Sequence, residues 1–435
     1  MKPILLIAAL PAALLFAVPV PKATDNPAEN LTHYLSFRSE GKLSPECRTT
    51  QTQFVCEAVR QALEEVEDNA TVVTAFEKGT VAFNRALEVL LQKETFEATT
   101  KELEEVERLR RQYLAAKGPE IPPPPTPGVD ALERAIVGNL EALDITGFDH
   151  YRQAPSTHLH IDALHFANRM KRTADGAAFA ERVIGSVILD YRGATLETNA
   201  SDSAFAATPN LLEAWFDTND TERADYVGSR LHTLYAAEMA SPFSGSFALT
   251  NSFEGNDTID TRFRSRNGNE RGNSDTMALH LTLRNASALF TPARTPQPPG
   301  LPDLLFNSLH AQSSTDGKAY RELLKTDKRF AAYIGQYDIL LRRTFDRKRE
   351  KFAYSPTLTR WITEAESAFS ALLRGRADTL EISVINRSGL SAIQLFSLLM
   401  GQLTALPPSP DRRPDMEKLI ADTAAAHLEV RIEAR

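Results

Sequence analysis

Four of the nine histidines in this chain fall between His150 and His165. In an extended strand His158 and His160 point to one face and Asp162 joins them. Neutral imidazole is a ligand for zinc and copper, so His158, His160 and Asp162 are the candidate metal ligands, with Asp149, His150 and His165 close in sequence. No His-Glu-x-x-His or Cys/His zinc spacing accompanies them. Thr157, Leu159 and Ile161 alternate with the two histidines as an inward face would, so the competing expectation is a row of polar residues on the wet side of a half-buried sheet.

The only cysteines are Cys47 and Cys56. On one helix they would stand about 13 Å apart along the axis, too far to bond. Pro45 sets Cys47 ahead of a helix that would hold Cys56, so the chain can fold back. In an oxidising compartment the pair is expected to form a disulfide.

Asn-x-Ser/Thr triplets occur seven times, where roughly two or three are expected from the content of these residues. The four at Asn69, Asn199, Asn219 and Asn256 carry an acid two residues upstream. They resemble the acid-extended acceptor site of a bacterial periplasmic oligosaccharyltransferase. All four lie in turn-like sequence, as an acceptor must, and turn chemistry by itself favours the same residues.

Other chemistry is not signalled. There is no Gly-rich phosphate loop, no G-x-S-x-G elbow, no C-x-x-C-H haem site and no EF-hand loop. Arg342, Arg343, Arg347, Lys348, Arg349 and Lys351 flank an apolar stripe of Ile334, Tyr337, Leu341 and Phe345. That pattern suits anionic head groups, but interspersed acids make a solvated helix face the expectation. No cofactor is implied.

The elements that would carry these residues follow from periodicity. Phe54, Val55, Ala58, Val59, Ala62, Leu63 and Val66 recur at three- and four-residue steps, which predicts a helix. Two more are predicted from Val72 to Leu91 and from Thr95 to Ala116, so that residues 47–117 form a helical hairpin or small bundle. The proline-rich run 118–128 reads as a stiff spacer. Residues 129–290 read as an α/β domain: a helix from Val129, strands near Thr157–Ile161 and Val183–Thr198, a helix from Glu222 to Met239, and an antiparallel meander from Phe243 to Leu283. Residues 303–435 read as a C-terminal α+β domain. It has one helix from Lys318 to Phe352 kinked at Gly335, a second from Pro356 to Leu373, a strand Thr379–Ile385, a helix Leu390–Leu403 and a last strand His427–Ile432. The expected fold class is α+β, an N-terminal helical hairpin followed by antiparallel sheet units with packed helices.

Residues 1–23 hold a lysine and then an apolar run to Val20, the layout of an export signal or N-terminal anchor. The chain is therefore expected in the periplasm, soluble or tethered to the inner membrane. A net charge of −8 argues against a nucleic-acid partner. The function expected is non-enzymatic, a structural or interaction component among other envelope proteins. The alternative is a carrier of lipid or another apolar ligand, and a metal-dependent hydrolase built on the histidines ranks third.

Overall fold

The computed structural model describes residues 20–39, 41, 43–67, 70–116, 126–153, 156–170, 184–198, 204–216, 218–239, 241–254, 257–269, 274–285, 305–391, 394, 397–398 and 413–435. The chain divides into two compact units, residues 1–154 with 158–168, and residues 155–157 with 169–435. Twelve strands are described, antiparallel and in chain order, five in the first unit and seven in the second.

The first unit opens with α1 (Pro27–Arg38), capped by Asn26, whose side chain accepts from Ala28 N at 3.1 Å, with Pro27 in the first turn. β1 (Glu46–Thr49), β2 (Gln53–Glu67) and β3 (Ala70–Asn84) follow, then a 3-10 turn (Arg85–Leu87), α2 (Glu88–Leu91), α3 (Lys93–Ala116), α4 (Pro127–Gly138), β4 (Leu140–Arg152) and β5 (Thr157–Asn168). Leu31, Tyr34, Phe54, Phe83, Leu87, Leu91, Phe96 and Leu132 are its most deeply buried apolar residues. Asn30, fully buried, ties the N-terminal segment to the core by donating to Leu91 O and Thr24 O at 2.9 Å each.

The expected N-terminal helical hairpin is not there. β2 and β3 pair antiparallel without a slip from Gln53↔Asn84 to Glu67↔Ala70; of the three predicted helices the third is α3, and the second survives only in its last turn, α2. The apolar stripe read at helical spacing places Val59 beside Ala58 in a core. In the strand the two point to opposite faces, and Val59 is 57% exposed. Residues on both sides of the proline-rich run share one core, Phe96 and Leu103 with Val129, Leu132 and Ile136. Glu102 of α3 caps α4, its Oε2 accepting from Gly128 N at 2.9 Å and Val129 N at 3.0 Å.

The second unit comprises β6 (Gly185–Thr198), α5 (Ala204–Trp215), α6 (Thr221–Met239), β7 (Phe243–Glu254), β8 (Thr258–Asn269), β9 (Ser274–Arg284), β10 (Leu305–Thr315), α7 (Lys318–Thr326), α8 (Lys328–Lys351), α9 (Pro356–Leu373), β11 (Thr379–Asn386), α10 (Arg413–His427) and β12 (Leu428–Ala434). The single helix predicted over 318–352 is two, divided at Asp327. That side chain caps α8 by accepting from Phe330 N at 2.9 Å, while Gly335 lies inside an unbroken helix. The predicted helix 390–403 falls largely outside the described residues.

The buried core of this unit lies among its helices: Phe216 and Val227 pack with Phe330, Ile334, Tyr337 and Leu341. At its centre Glu213 accepts from Arg223 Nε at 2.7 Å, Arg223 Nη2 at 2.8 Å and Tyr337 Oη at 2.7 Å. The sheet carries an apolar row across all seven strands, Val187–Leu249–Phe263–Leu279–Ala311–Ile382–Ile432, in cross-strand register. Every member is half-buried. No helix among the described residues is long and apolar enough to cross a membrane.

Candidate functional site

β4 and β5 bring the three predicted metal ligands together. Asp149 Oδ1 lies 3.1 Å from His158 Nε2 and 2.8 Å from His160 Nδ1, and His160 Nε2 lies 3.2 Å from Asp162 Oδ1. Both ring nitrogens of His160 thus lie within hydrogen-bond reach of carboxylates, contacts that the protonated ring satisfies by donating from both. The bond to Asp149 holds the His160 pKa above its ordinary value, against some desolvation and with help from Asp162. Burial pushes the Asp149 carboxyl up, but the bonds from His160 and His158 outweigh it and hold it below the usual range. Among the described residues no group of three or more His, Cys, Asp or Glu is arranged to hold a metal ion. His165 and Asp144, 2.6 Å apart, form a further imidazole–carboxylate pair between the same two strands.

Cys47 and Cys56 form a disulfide. The route differs from the one expected: the two are directly opposite in the β1–β2 pair, not at the mouth of a helix. Of the four acid-extended sequons, Asn219 is exposed ahead of α6, while Asn69, Asn199 and Asn256 lie outside the described residues. Asn30, which also begins a sequon, is sealed in the core.

The first unit also holds an apolar groove, away from these histidines. Between α1, α4 and the floor of β2, β3 and β4 runs a groove of about 130 Å³, lined by Tyr34, Ala58, Gly79, Ile136, Ile145 and Phe148 among others. It exists because the two helices cover only part of the apolar side of the sheet. The small residues Ala58 and Gly79, paired across β2 and β3, leave space that larger side chains would fill. At Gly147 the backbone takes φ +59°, and a Cβ there would sit 2.4 Å from Glu77 Cγ. Past that kink Phe148 and Phe76 line the same groove. The rim is polar: Arg38 pairs with Glu133 at 2.8 Å, and Tyr34 Oη donates to Glu133 at 3.3 Å. Burial and the facing Glu133 push the Tyr34 hydroxyl well above its ordinary pKa, so it remains a donor.

Reading residues 24–46 as irregular hides Tyr34 and Arg38 from sequence analysis. The signals were present: Asn26-Pro27 is a cap followed by proline in the first turn, and Leu31, Tyr34 and Leu35 fall at helical spacing.

Compared with protein-family models, curated proteins and solved structures, the chain matches none.

Proposed function

We propose that this chain is an exported cell-envelope protein with a non-enzymatic role, the binding of an apolar ligand in the groove of its first unit. The observation that carries the reading is that groove: an apolar floor left uncovered by two helices, closed at one rim by Arg38, Tyr34 and Glu133. Ligand sites combine a mostly apolar lining with a few placed polar groups. At about 130 Å³ the space is a little smaller than the cavity of about 150 Å³ that accepts benzene, and so suits an alkyl segment. The head of an amphiphile would stay at the rim, where Arg38 can meet an anionic group.

The compartment belongs to the same proposal. It is supported by the apolar run at residues 4–20, the disulfide and the acid-extended sequons.

Native mass spectrometry of the full chain after gentle extraction tests the reading. Wild type is expected to carry lipid-sized adducts. Ala58→Leu, which projects into the groove, is expected to lose them at an unchanged melting temperature. An empty wild-type protein sinks the carrier reading. Co-purification of an empty protein with other envelope proteins would favour an interaction role, a second reading supported by the half-buried apolar row across β6–β12.

A further inference from the structure

The opposite face of the second unit's sheet holds a groove of about 640 Å³, within the size range of small-molecule sites. Its character is the reverse of the apolar groove. Arg262 and Arg264 alternate on β8, so both point to this face, about 6.7 Å apart along the strand. Across the register Arg262 faces His280 and then His310, while Arg264 faces Ala278 and then Gln312. Asp260, only 6% exposed, lies behind. It accepts from Arg262 Nε at 2.9 Å and from His280 Nε2 at 2.7 Å, fixing both side chains. The His280 and His310 rings lie 6.1 Å apart.

Arg264 differs from its neighbours. Ala248 and Ala278 flank it on the adjoining strands, and among the described residues it has no carboxylate partner. At the far side of the groove Arg435 is shared between Glu381 at 3.3 Å and Glu433 at 3.0 Å, Glu429 pairs with Arg387 at 2.6 Å, and Arg431 lines the groove beside them. One wall of the groove thus sets Arg264, which no carboxylate meets among the described residues, beside the Asp260-paired Arg262, in a chain of net charge −8. Like charges so placed repel, and an anion between them relieves the repulsion. Gln312 and Ser383 add neutral hydrogen-bonding groups to the same lining.

We propose that this groove binds a small polar molecule through an oxyanion, a phosphate or a carboxylate, seated on Arg264 and Arg262 beside His280 and His310. Guanidinium groups suit both, because their paired N–H donors match two oxygens at once. The site is separate from the apolar groove, and its fate does not depend on that reading.

Isothermal titration calorimetry on the full chain at low salt decides it, with glucose 6-phosphate and glucuronate as probes and glucose as the neutral control. At least one anionic sugar is expected to bind, and glucose to bind at least tenfold more weakly. Binding of the phosphate ester alone marks a phosphoryl ligand, and binding of the uronate alone a carboxylate ligand. Arg264→Ala is expected to weaken the bound probe tenfold or more. Arg343→Ala, on the exposed face of α8, should leave it unchanged. If Arg264→Ala melts below wild type, Arg264→Lys supplies the comparison: the retained point charge should keep part of the affinity. Equal binding of all three sugars, or wild-type affinity in Arg264→Ala, overturns the proposal.

Discussion

Asp149 serves two imidazoles at once, and the consequences can be worked through in sign. His160, with its pKa raised by Asp149 and Asp162, contributes stability that is fully present below an unfolded value of about 6.5. That contribution is lost as pH rises through the raised folded value. Asp149, held low, contributes above the ordinary carboxylate range of about 3.9; its share is lost as pH falls through the depressed value. The pair is therefore strongest in mildly acidic solution. With side chains 35% and 44% exposed, solvent screens it, and its share of stability is small. Asp149→Asn should bring the His160 titration midpoint down, followed by NMR of the ring protons; an unmoved midpoint would show that Asp149 does not govern this histidine. The Cys47–Cys56 disulfide closes a short loop with sequence separation 9. Chain-entropy arguments give such a loop about 2–3 kcal/mol. The Cys47→Ala, Cys56→Ala double variant should shift the urea midpoint down by a corresponding amount, and an unchanged midpoint would mean that pairing in the hairpin already restrains the loop.

Among the helices, Glu213 is what joins α5 and α6 to α8. It is buried, as is Arg223, whose guanidinium lies over the Tyr337 ring at 4.9 Å. Burial pushes the Glu213 carboxyl up, but the bonds from Arg223, Thr218 and Tyr337 win and bring it down to about 2. A depressed carboxylate stabilises above its unfolded pKa, about 4.3, and that stability drains away as pH falls towards 2. Glu213→Gln takes from the buried Arg223 its closest counter-ion and leaves it only Asp220, at 3.5 Å. The expected cost is up to about 3–5 kcal/mol, measured by chemical denaturation, and the variant should lose the Glu213 share of the pH dependence between about 4.3 and 2, with the shares of Asp149, Asp260 and Asp338 retained. A loss under about 1 kcal/mol would show that water reaches Arg223 and that the network is less sealed than its burial implies. Helix-to-helix polar bonding of this kind recurs at Asp338 of α8, which accepts from Ser370 and Arg374 at 2.6 and 2.9 Å.

For the molecule as a whole, the proposed export predicts recovery from the periplasm or from the periplasmic face of the inner membrane. Cytosolic recovery with an intact N-terminus would remove the basis for the envelope assignment. In a host with an oligosaccharyltransferase, peptides containing Asn219 should carry sugar mass while those containing Asn30 should not, because Asn219 is exposed and Asn30 is sealed in the core. Unmodified Asn219 in such a host would reduce its sequon to turn chemistry. The two proposed sites lie in different units, one groove apolar and one charged. Loss of lipid in Ala58→Leu and loss of anion binding in Arg264→Ala should therefore be separable, each variant keeping the other's ligand.

The sequence by itself determined those features in which a local pattern has one physical solution. The β7–β9 meander was legible because one face is apolar and the other polar, so strict alternation survives in the residues from Phe243 to Leu283. The helix Pro356–Leu373 was legible from its apolar spacing and Ser355-Pro356 start, and the disulfide from two cysteines alone in the chain. Tertiary structure decided β2 and β3. Gln61-Ala62-Leu63-Glu64-Glu65 is a run of strong helix formers, yet it pairs with Phe76-Ala75-Thr74-Val73-Val72. Two β-branched valines and a threonine in the partner, together with pairing on both sides of β3, outweigh a preference worth only tenths of a kcal/mol per residue. The sites were decided the same way. Asp149 meets His158 and His160 only once β4 and β5 are in register, the apolar groove exists only where α1 and α4 leave the sheet uncovered, and Arg264 lies between alanines of β7 and β9 with no carboxylate partner among the described residues. Each depends on residues distant in sequence coming side by side, which no local period records.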